Sequence, residues 1–333
     1  MPIFSIIIPV YNVYKYLSDC LESIFNQDLD KSFYEVIVVD DSSPHGEKEI
    51  VDSYIKKCSN IKYIRHDINK RQGGARNTGI HIAQGEYIMF MDSDDIIVYN
   101  NTFSILKELV EKYDPVILRS ESFQSIPTET KYVELNKIFT DVDCIQNTTY
   151  NFRQWRSGKI SCAVWGTLYK REFLLNNNLF FRENVVFEDT DWSQKALFYA
   201  QDIDFIQFPF YGYRQSNDST TRGYSIQSFE GNAKGVIETY FFYEQVIDRN
   251  NSFWEILHES FVDNIIGLLK TSRNYPIPAS LEIFNKLKKS GITSIKSKYI
   301  KKNIIIFLVH KIPVLPIFAV KILVSLKRLI NRR

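Results

Sequence analysis

Residues 87–95 read YIMFMDSDD: an apolar run is followed at once by three carboxylates and one serine. A short apolar run bounded by polar residues is typical of a buried strand in a parallel sheet. Asp92 and Asp94 then stand where the chain leaves the sheet, so one turn can present both carboxylates to a Mg²⁺ or Mn²⁺ ion. The alternative is a polar loop with a helix N-cap, a position where Asp is common.

Upstream, three more apolar runs have the same form and are separated by segments of helical periodicity. Residues 3–9, 35–39 and 61–65 are predicted strands, and residues 14–27, 47–57 and 74–83 are predicted helices. This alternation predicts an α/β fold on a mainly parallel sheet flanked by helices. Ligands of such sheets bind beyond the carboxyl ends of the strands, so the polar residues that follow each strand should face one crevice.

An acidic strand end at residues 40–41 and a helix start at residues 74–76 each have two interpretations. A carboxylate at Asp40 or Asp41 can accept hydrogen bonds from a uracil N–H or from ribose hydroxyls, although a turn over residues 41–43 would use the same side chains. Gly74 and Arg76 offer close backbone approach and a cation for phosphate at a helix start, but packing explains such glycines equally well. The spacing is neither GxGxxG nor a P-loop, so neither a dinucleotide site nor a Walker-type ATP site follows.

Downstream of residue 115 the pattern is mixed, and it then becomes helical. Strands are predicted at 116–119, 204–207 and 210–214, with a helix over 190–200, and we expect this part to complete the sheet and cover the crevice. Helical periodicity dominates residues 226–290, with a break at 275–278. The chain has 333 residues, enough for about two average domains.

Composition excludes several classes of protein. A net charge of +2 argues against a general nucleic-acid binder. The four cysteines are far apart and the five histidines lack ligand spacing, so neither a zinc site nor a disulfide framework is indicated, and the histidines are assigned no chemistry. The apolar start is interpreted as the first strand rather than a secretion signal, and no apolar stretch reaches the 18 residues of a membrane span.

Four motifs occur in order at predicted strand or helix ends: PVYN at 9–12, VDDSS at 39–43, GARNTG at 74–79 and DSDD at 92–95. Together they resemble the family 2 inverting glycosyltransferases with the GT-A fold, over roughly residues 3–100. Weaker matches look like the acceptor-side and closing-loop elements of bacterial surface-polysaccharide members. They are WGTLYKR at 165–171, ED at 188–189 and YR at 213–214, which is followed by STT at 219–221.

The resemblance implies an inverting hexosyltransferase that moves a sugar from a nucleotide-diphosphate sugar, expected to be a UDP-sugar, to a hydroxyl of a lipid-linked or surface glycan. It implies Mn²⁺ or Mg²⁺ as cofactor, held by Asp92 and Asp94. The donor-binding residues are predicted to be Pro9, Tyr11, Asn12, Asp41, Gly74, Arg76, Asp92 and Ser93. Asp95, the outer member of the DSDD motif, is interpreted as a capping residue.

An inverting displacement needs a carboxylate that takes the proton of the attacking hydroxyl. The resemblance implies this base in residues 188–189, and we predict Asp189, with Glu188 and Asp191 as the alternatives. N-capping of the following helix would also explain Asp189. Trp165, Glu188 and Arg214 are weaker acceptor or closing-loop candidates. Trp165 could equally be a core aromatic, and Arg214 the end of a strand.

Three parts are expected: a GT-A catalytic domain over 1–225, a helical extension over 226–300 and a basic tail over 301–333. The catalytic domain divides into a nucleotide-sugar half, about 1–115, and an acceptor half, about 116–225.

Rival interpretations are a sugar nucleotidyltransferase and a non-catalytic, membrane-associated glycan-assembly protein. The first usually has a Gly-rich, Arg-containing loop where this chain has PVYN, and the second would have lost its acidic pairs.

The basic tail suggests a surface for anionic lipid. Residues 291–333 contain ten basic residues and no acidic one, which leaves residues 1–290 with a net charge of −8. Lys321, Arg328 and Arg332 share one helical face, and apolar residues cover much of the rest. We predict a cytoplasmic protein that binds the inner face of the cell membrane through this segment. The alternative is a helix that packs on the body of the protein with its basic face in water.

Overall fold

The structure, a computed structural model, describes residues 1–132, 137–140, 145–151, 163–215, 225–248, 250, 252–291, 297, 299–317 and 319–320. The chain divides into two units, Met1–Ser219 and Thr220–Arg333. Within the described ranges, every strand belongs to the first unit, and the second unit is built from helices.

Strands of the first unit form two sheets. In chain order the strands are β1 (Phe4–Val10), β2 (Tyr34–Asp40), β3 (Ile61–Arg65), β4 (Tyr87–Phe90), β5 (Ile96–Ile97), β6 (Ile117–Ser120), β7 (Gln124–Ile126), β8 (Asn147–Asn151), β9 (Thr167–Lys170), β10 (Asp202–Ile206) and β11 (Tyr211–Arg214). The larger sheet has the order β3-β2-β1-β4-β9-β6-β10-β8, and the smaller one has the order β5-β11-β7.

Helices cover the larger sheet and build the second unit. The first unit contains α1 (Tyr14–Phe25), α2 (Glu47–Ile55), α3 (Arg71–Ile82), α4 (Thr102–Tyr113), α5 (Arg171–Asn176) and α6 (Asp189–Ala200). The second contains α7 (Ile226–Val246), α8 (Ser252–Thr271), α9 (Ile277–Lys289) and α10 (Ile300–Lys311).

The strand order reverses beside β1, and this reversal positions the site. β1 pairs in parallel with β2 on one side and with β4 on the other. All three strands are buried along their whole length, which explains their near-continuous apolar sequences. A crevice therefore opens beyond the carboxyl ends of β1, β2 and β4, where an open parallel sheet binds its ligands.

The predicted fold class is confirmed. Strands β8 and β9 run antiparallel to their neighbours, and the other six described strands of the larger sheet share one direction. As expected, the chain beyond residue 115 completes the sheet with β6, β8, β9 and β10. β9 enters between β4 and β6, and together with the edge strand β8 it makes the sheet mixed.

The second unit has its own apolar core. Leu257, Phe261 and Ile265 of α8 are buried, as are Phe284 of α9 and Ile306 of α10. Among its described residues, as in the described part of the first unit, no helix is both long and apolar enough to cross a membrane. The predicted cationic face of residues 321–332 lies outside the described residues.

Candidate active site

The ends of β1 and β2 are joined to each other at the crevice. The Asp41 amide donates to the Val10 carbonyl at 2.8 Å, and the Asn12 amide donates to Ser43 Oγ at 3.2 Å. Asn12 has a φ of 54°, a left-handed conformation that Asn tolerates better than most residues. The turn leaves the Tyr11 side chain 52% exposed at the mouth of the crevice, while Pro9 stays buried in β1.

Asp41 presents one carboxylate oxygen without a partner. Its Oδ1 lies 2.8 Å from His66 Nδ1 and accepts the Lys70 backbone N–H at 2.8 Å. Its Oδ2 is buried and has no hydrogen-bond partner among the described residues. Leaving a buried acceptor unpaired is costly, so this oxygen is suited to receive an N–H or O–H from a ligand.

Asp40 has a structural role instead. Its Oδ1 accepts the Ser43 backbone N–H at 2.7 Å, and its Oδ2 accepts Tyr63 OH at 2.6 Å and Arg65 Nη1 at 3.0 Å. The turn that was predicted as an alternative role for residues 41–43 is present, but Asp40 closes it by accepting the Ser43 amide. Asp41 takes no part in closing this turn with its side chain, and its Oδ2 has no partner among the described residues.

Arg76 joins the acidic turn after β4 to a second acidic pair. The guanidinium is buried in α3, donates through Nη2 to Asp92 Oδ1 at 2.8 Å and pairs through Nη1 with Glu188. Burial alone would lower the pKa of Arg76, but the charges of Glu188 and Asp92 outweigh it and raise that pKa. Arg76 therefore stays charged and holds two segments together that are far apart in sequence.

Asp189 lies at the start of α6, beside this cluster. Burial first, and then the negative charges of Glu188 and Asp92, raise the pKa of Asp189 to about 7 against the opposing charge of Arg76. A carboxyl group with a pKa near neutrality is well matched to general-base work. The helix N-cap is Glu188, without a side-chain capping bond, so the predicted capping role of Asp189 is not observed.

The two alternative bases are engaged elsewhere. Glu188 is buried against Arg76. Asp191 is also buried, with Oδ1 2.6 Å from Arg182 Nε and Oδ2 3.0 Å from Lys195 Nζ. Asp189, by contrast, keeps part of its surface exposed.

A strained residue precedes the acidic pair. Phe187 has a φ of 59°, which is uncommon for an aromatic side chain. Its carbonyl accepts from Arg182 Nη2 at 3.2 Å and from the Thr190 amide at 3.4 Å. Such strain persists only where surrounding contacts impose it, and Arg182 is the contact that anchors this turn through both Phe187 and Asp191.

Asp92 and Asp94 are the residues that could hold a metal ion. The Asp92 side chain is 20% exposed, and Asp94 follows it in the same turn, with Ser93 buried between them. No group of three or more His, Cys, Asp or Glu side chains suited to a metal exists in the part of the chain that the structure describes. Two carboxylates fit a hard divalent cation that completes its shell with substrate phosphates and water.

Asp95 is not a capping residue, contrary to the prediction, because the chain continues into β5 and no helix begins there. Its buried carboxylate accepts Tyr211 OH at 2.7 Å and the Arg214 backbone N–H at 2.8 Å. Burial raises the pKa of Asp95, and the charges of Asp94 and Asp92 raise it further. Asp95 thus attaches the acidic turn to β11.

Arg214 supports the same turn. Its buried guanidinium donates to three carbonyl oxygens, those of Asp94 at 2.7 Å, Thr128 at 3.0 Å and Thr130 at 2.6 Å. The contacts described for Arg214 are therefore with the protein itself, and its closing-loop role stays a prediction. The neighbouring segment 219–221 lies outside the described residues.

Trp165 and Gly74 are engaged in packing. The Trp165 ring stacks on Tyr211 and Tyr213, with centroids 4.7 and 5.6 Å apart, and is half-buried against the core. A Cβ added at Gly74 would lie 2.4 Å from the Cβ of Lys70. These contacts suffice to explain both residues, and their predicted acceptor and donor roles stay predictions.

His66 belongs to the site, although no ligand spacing in the sequence marks it. It directly follows β3, and its ring lies between Asp41 and Thr78, with Nε2 2.9 Å from Thr78 Oγ1. The signal that could have found it is positional, because His66 occupies the same edge of the sheet as the acidic strand ends.

Comparisons with known proteins agree with this architecture. The sequence profile of "Glycosyl transferase family 2" matches residues 5–175. The putative glycosyltransferase EpsH of Bacillus subtilis is 28% identical over 299 residues, which are 87% of this chain and 83% of that protein. Poly(ribitol-phosphate) β-N-acetylglucosaminyltransferase TarS of Staphylococcus aureus is 41% identical over 95 residues, which are 28% of this chain and 16% of that protein.

Solved structures share the fold. The crystal structure of S. aureus TarS 1–349 in complex with UDP-GlcNAc superposes with a TM-score of 0.74 at 19% identity, covering 96% of this chain and 90% of that one. The mannosyltransferase PcManGT from Pyrobaculum calidifontis, in complex with GDP-Man and Mn²⁺, superposes with a TM-score of 0.55 at 16% identity. That match covers 100% of this chain and 88% of the other.

Proposed function

Because this chain belongs to glycosyl transferase family 2 and is a glycosyltransferase of the GT-A fold, we propose that its acidic crevice transfers one sugar from a UDP-sugar to a glycan hydroxyl. The observation that carries the proposal is the Arg76 bridge, which joins the acidic turn at Asp92 to the acidic pair that contains Asp189. Neither rival, a sugar nucleotidyltransferase or a non-catalytic assembly protein, is supported by the family match.

Uridine is the nucleoside that the crevice suits. The unpaired Oδ2 of Asp41 is an acceptor, and the N3–H of uracil is a donor. The exposed Tyr11 follows Val10, whose carbonyl accepts the Asp41 amide. TarS, which shares the fold, was crystallised with UDP-GlcNAc. We assign the nucleoside to Pro9, Tyr11, Asn12 and Asp41, and the diphosphate to the turn of Asp92 and Ser93.

Two acidic side chains would hold the cofactor. Asp92 and Asp94 are the proposed ligands of Mn²⁺ or Mg²⁺, consistent with the Mn²⁺ in the PcManGT complex. A cation bound there would neutralise the charge that develops on the departing diphosphate. Arg76 already supplies one fixed positive charge at the same edge.

The proposed reaction is a single inverting displacement. Asp189 accepts the proton of the acceptor hydroxyl, and the resulting oxygen attacks the anomeric carbon from the face opposite the diphosphate. The bond between the anomeric carbon and the diphosphate oxygen breaks, and the nucleoside diphosphate leaves with that electron pair. Asp189 is partly exposed, whereas Glu188 and Asp191 are buried in ion pairs, and this difference favours Asp189 as the base.

We propose that the catalytic domain spans 1–225, with its nucleotide-sugar half at 1–115 and its acceptor half at 116–225. A helical extension over 226–300 and a basic tail over 301–333 follow.

Within the described residues, Lys302 on α10 contacts Glu259 at 3.3 Å and Asp263 at 2.8 Å on α8. Ile306, Val309 and Ile317 are buried, so this end of the chain also has a structural role.

A membrane surface is the proposed partner of the opposite side of α10. Ile304 and Phe307 are exposed, and we call these two residues the α10 apolar face. Leu315, beyond the end of the helix, is exposed too. Lys301 and Lys311 are exposed as well, and residues 291–333 contain no acidic side chain. Apolar residues with cations beside them suit an anionic bilayer surface, where a lipid-linked acceptor would be found. We propose peripheral binding to the cytoplasmic leaflet.

The experiment that tests the donor is a panel of UDP-, GDP-, dTDP- and CMP-sugars incubated with the enzyme and Mn²⁺. Release of the nucleotide by donor hydrolysis is the readout, because it needs no acceptor. We expect release of UDP from at least one UDP-sugar. Release from another nucleotide class alone would contradict the assignment of uridine.

A further inference from the structure

We propose that His66 is a positioning residue that makes the nucleoside site selective for a base with an N–H donor. It would do so by fixing the orientation of the Asp41 carboxylate. The inference rests on the proposed function, since it concerns how the same donor site recognises uracil. It goes further by assigning a role to a histidine that makes no contact with the reacting groups.

The Asp41 carboxylate is held from one side only. His66 Nδ1 and the Lys70 amide both lie 2.8 Å from Oδ1, whereas Oδ2 is buried without a partner among the described residues. Asp41 and His66 are 2% and 9% exposed, so neither group turns freely in water. The two contacts to Oδ1 therefore determine where Oδ2 points.

The orientation of the imidazole is itself fixed. The His66 amide donates to the Asp40 carbonyl at 2.8 Å, which ties the residue to the end of β2. Nε2 lies 2.9 Å from Thr78 Oγ1 on α3. In a neutral imidazole whose Nδ1–H donates to the Asp41 carboxylate, Nε2 is left to accept the Thr78 hydroxyl proton.

This arrangement discriminates between nucleobases. An ionised carboxylate can only accept hydrogen bonds, and Oδ2 is the oxygen that remains. Uracil presents N3–H at its Watson–Crick edge, whereas cytosine presents an unprotonated N3 at the same place. UDP would pair with Oδ2, and CDP would oppose a lone pair to it. A site built to hydrogen-bond a donor strongly rejects an analogue that lacks it.

Loss of the His66 donor should abolish this selectivity rather than binding in general. Without the imidazole, Asp41 can turn and satisfy Oδ2 with the backbone or with water. A hydrogen bond to a charged group typically changes an equilibrium by roughly tenfold or more. We therefore expect His66→Ala to weaken UDP binding roughly tenfold and to leave CDP binding nearly unchanged.

The test is equilibrium binding of UDP and of CDP to the full-length protein with Mn²⁺, by calorimetry. His66→Asn should restore most of the UDP preference, because its amide can place a donor near the position of Nδ1. Thr78→Val removes the contact to Nε2 and should reduce the preference by a smaller factor. His81→Ala is the matched control, since His81 is an exposed residue of α3 that stacks on Phe180 at 4.7 Å.

The outcomes separate the inference from the proposed function. The inference is supported if the ratio of UDP affinity to CDP affinity falls in His66→Ala and is restored in His66→Asn. The same ratio should be unchanged in His81→Ala. Equal losses of UDP and CDP affinity would show a merely structural histidine and overturn it. An unchanged ratio in both His66→Ala and Thr78→Val would also overturn it. Wild-type protein that binds UDP no better than CDP would contradict the proposed donor itself.

Discussion

Arg76 Nη2 lies 2.8 Å from Asp92 Oδ1, and the same guanidinium pairs through Nη1 with Glu188. One buried cation thus joins the turn after β4 to the start of α6, across almost a hundred residues of sequence. Its charge partly balances a concentration of carboxylates that would otherwise repel one another. The proposed metal ligands and the proposed base are brought to one place by this residue.

Substitution of the proposed base is the first prediction. Asp189→Asn keeps the shape of the side chain and removes the proton acceptor, so kcat should fall roughly 100- to 10,000-fold, the range of general-base contributions. UDP affinity and melting temperature should change little. Kinetics with a saturating UDP-sugar, together with UDP titration, measure both quantities.

Asp191→Asn is the matched control for that variant. Asp191 lies two residues away but is buried and paired with Arg182 and Lys195, so its substitution should cost about 3 kcal/mol of stability. If Asp189→Asn lowered the melting temperature as Asp191→Asn is expected to, the base assignment would fail and a structural role would replace it.

The pH dependence of transfer follows from the raised pKa of Asp189. Burial raises this pKa to about 7, and a base must be ionised to accept a proton, so kcat/KM should fall as the pH drops below about 7. A bound cation adds positive charge and would move this limb to lower pH. Glu188→Gln removes a negative charge that raises the pKa, so its limb should move in the same direction. If the acidic limb of the Glu188→Gln profile stayed in place or moved to higher pH, the assignment of Asp189 as the base would be contradicted.

Metal binding should depend on Asp94. Asp94→Asn keeps the volume of the side chain and removes one of two proposed anionic ligands. Mn²⁺ affinity in the presence of UDP, measured by electron paramagnetic resonance, should fall at least roughly tenfold. Asp28→Asn, at an exposed carboxylate that hydrogen-bonds Ser104, is the control and should leave it unchanged. Equal affinities of the two variants would exclude Asp94 as a ligand.

Membrane binding should depend on the α10 apolar face. The double variant Ile304→Ser and Phe307→Ser should reduce flotation with anionic vesicles roughly tenfold, because two apolar side chains no longer leave water. Substitutions are preferable to deletion of residues 301–333, which would remove the buried Ile306 and Val309. Ile256→Ser, at an exposed apolar residue of α8, is the control. Equal flotation of wild type and double variant would leave α10 a structural helix.

Strand positions and acidic strand ends could be predicted because their causes are local. An apolar run with a polar end identifies a buried strand of a parallel sheet, and the observed strands β1 to β4 start and end within one residue of the predicted ones. The strand-end position of Asp92 follows from the same pattern. The partners of Arg76 do not, because the contact between Arg76 and Glu188 depends on tertiary structure.

The other features that the sequence did not predict also depend on tertiary structure. Nothing in the sequence around Asp95 shows that β11 will pair with β5 and place Tyr211 and Arg214 over its carboxylate. The pairing of β9 with β4 and β6 likewise joins residues that are far apart in sequence. His66 was missed because a single histidine without ligand spacing gives no periodic signal, and only the sheet brings it to Asp41.

The most direct test of the account is release of UDP from UDP-sugars by the full-length enzyme with Mn²⁺, with and without EDTA, beside Asp94→Asn. We predict that the wild type releases UDP from at least one UDP-sugar. EDTA and the substitution should each abolish this release, with the fold intact by circular dichroism. Release that continued undiminished in EDTA and in Asp94→Asn, or the absence of release from every nucleotide sugar tried, would contradict it.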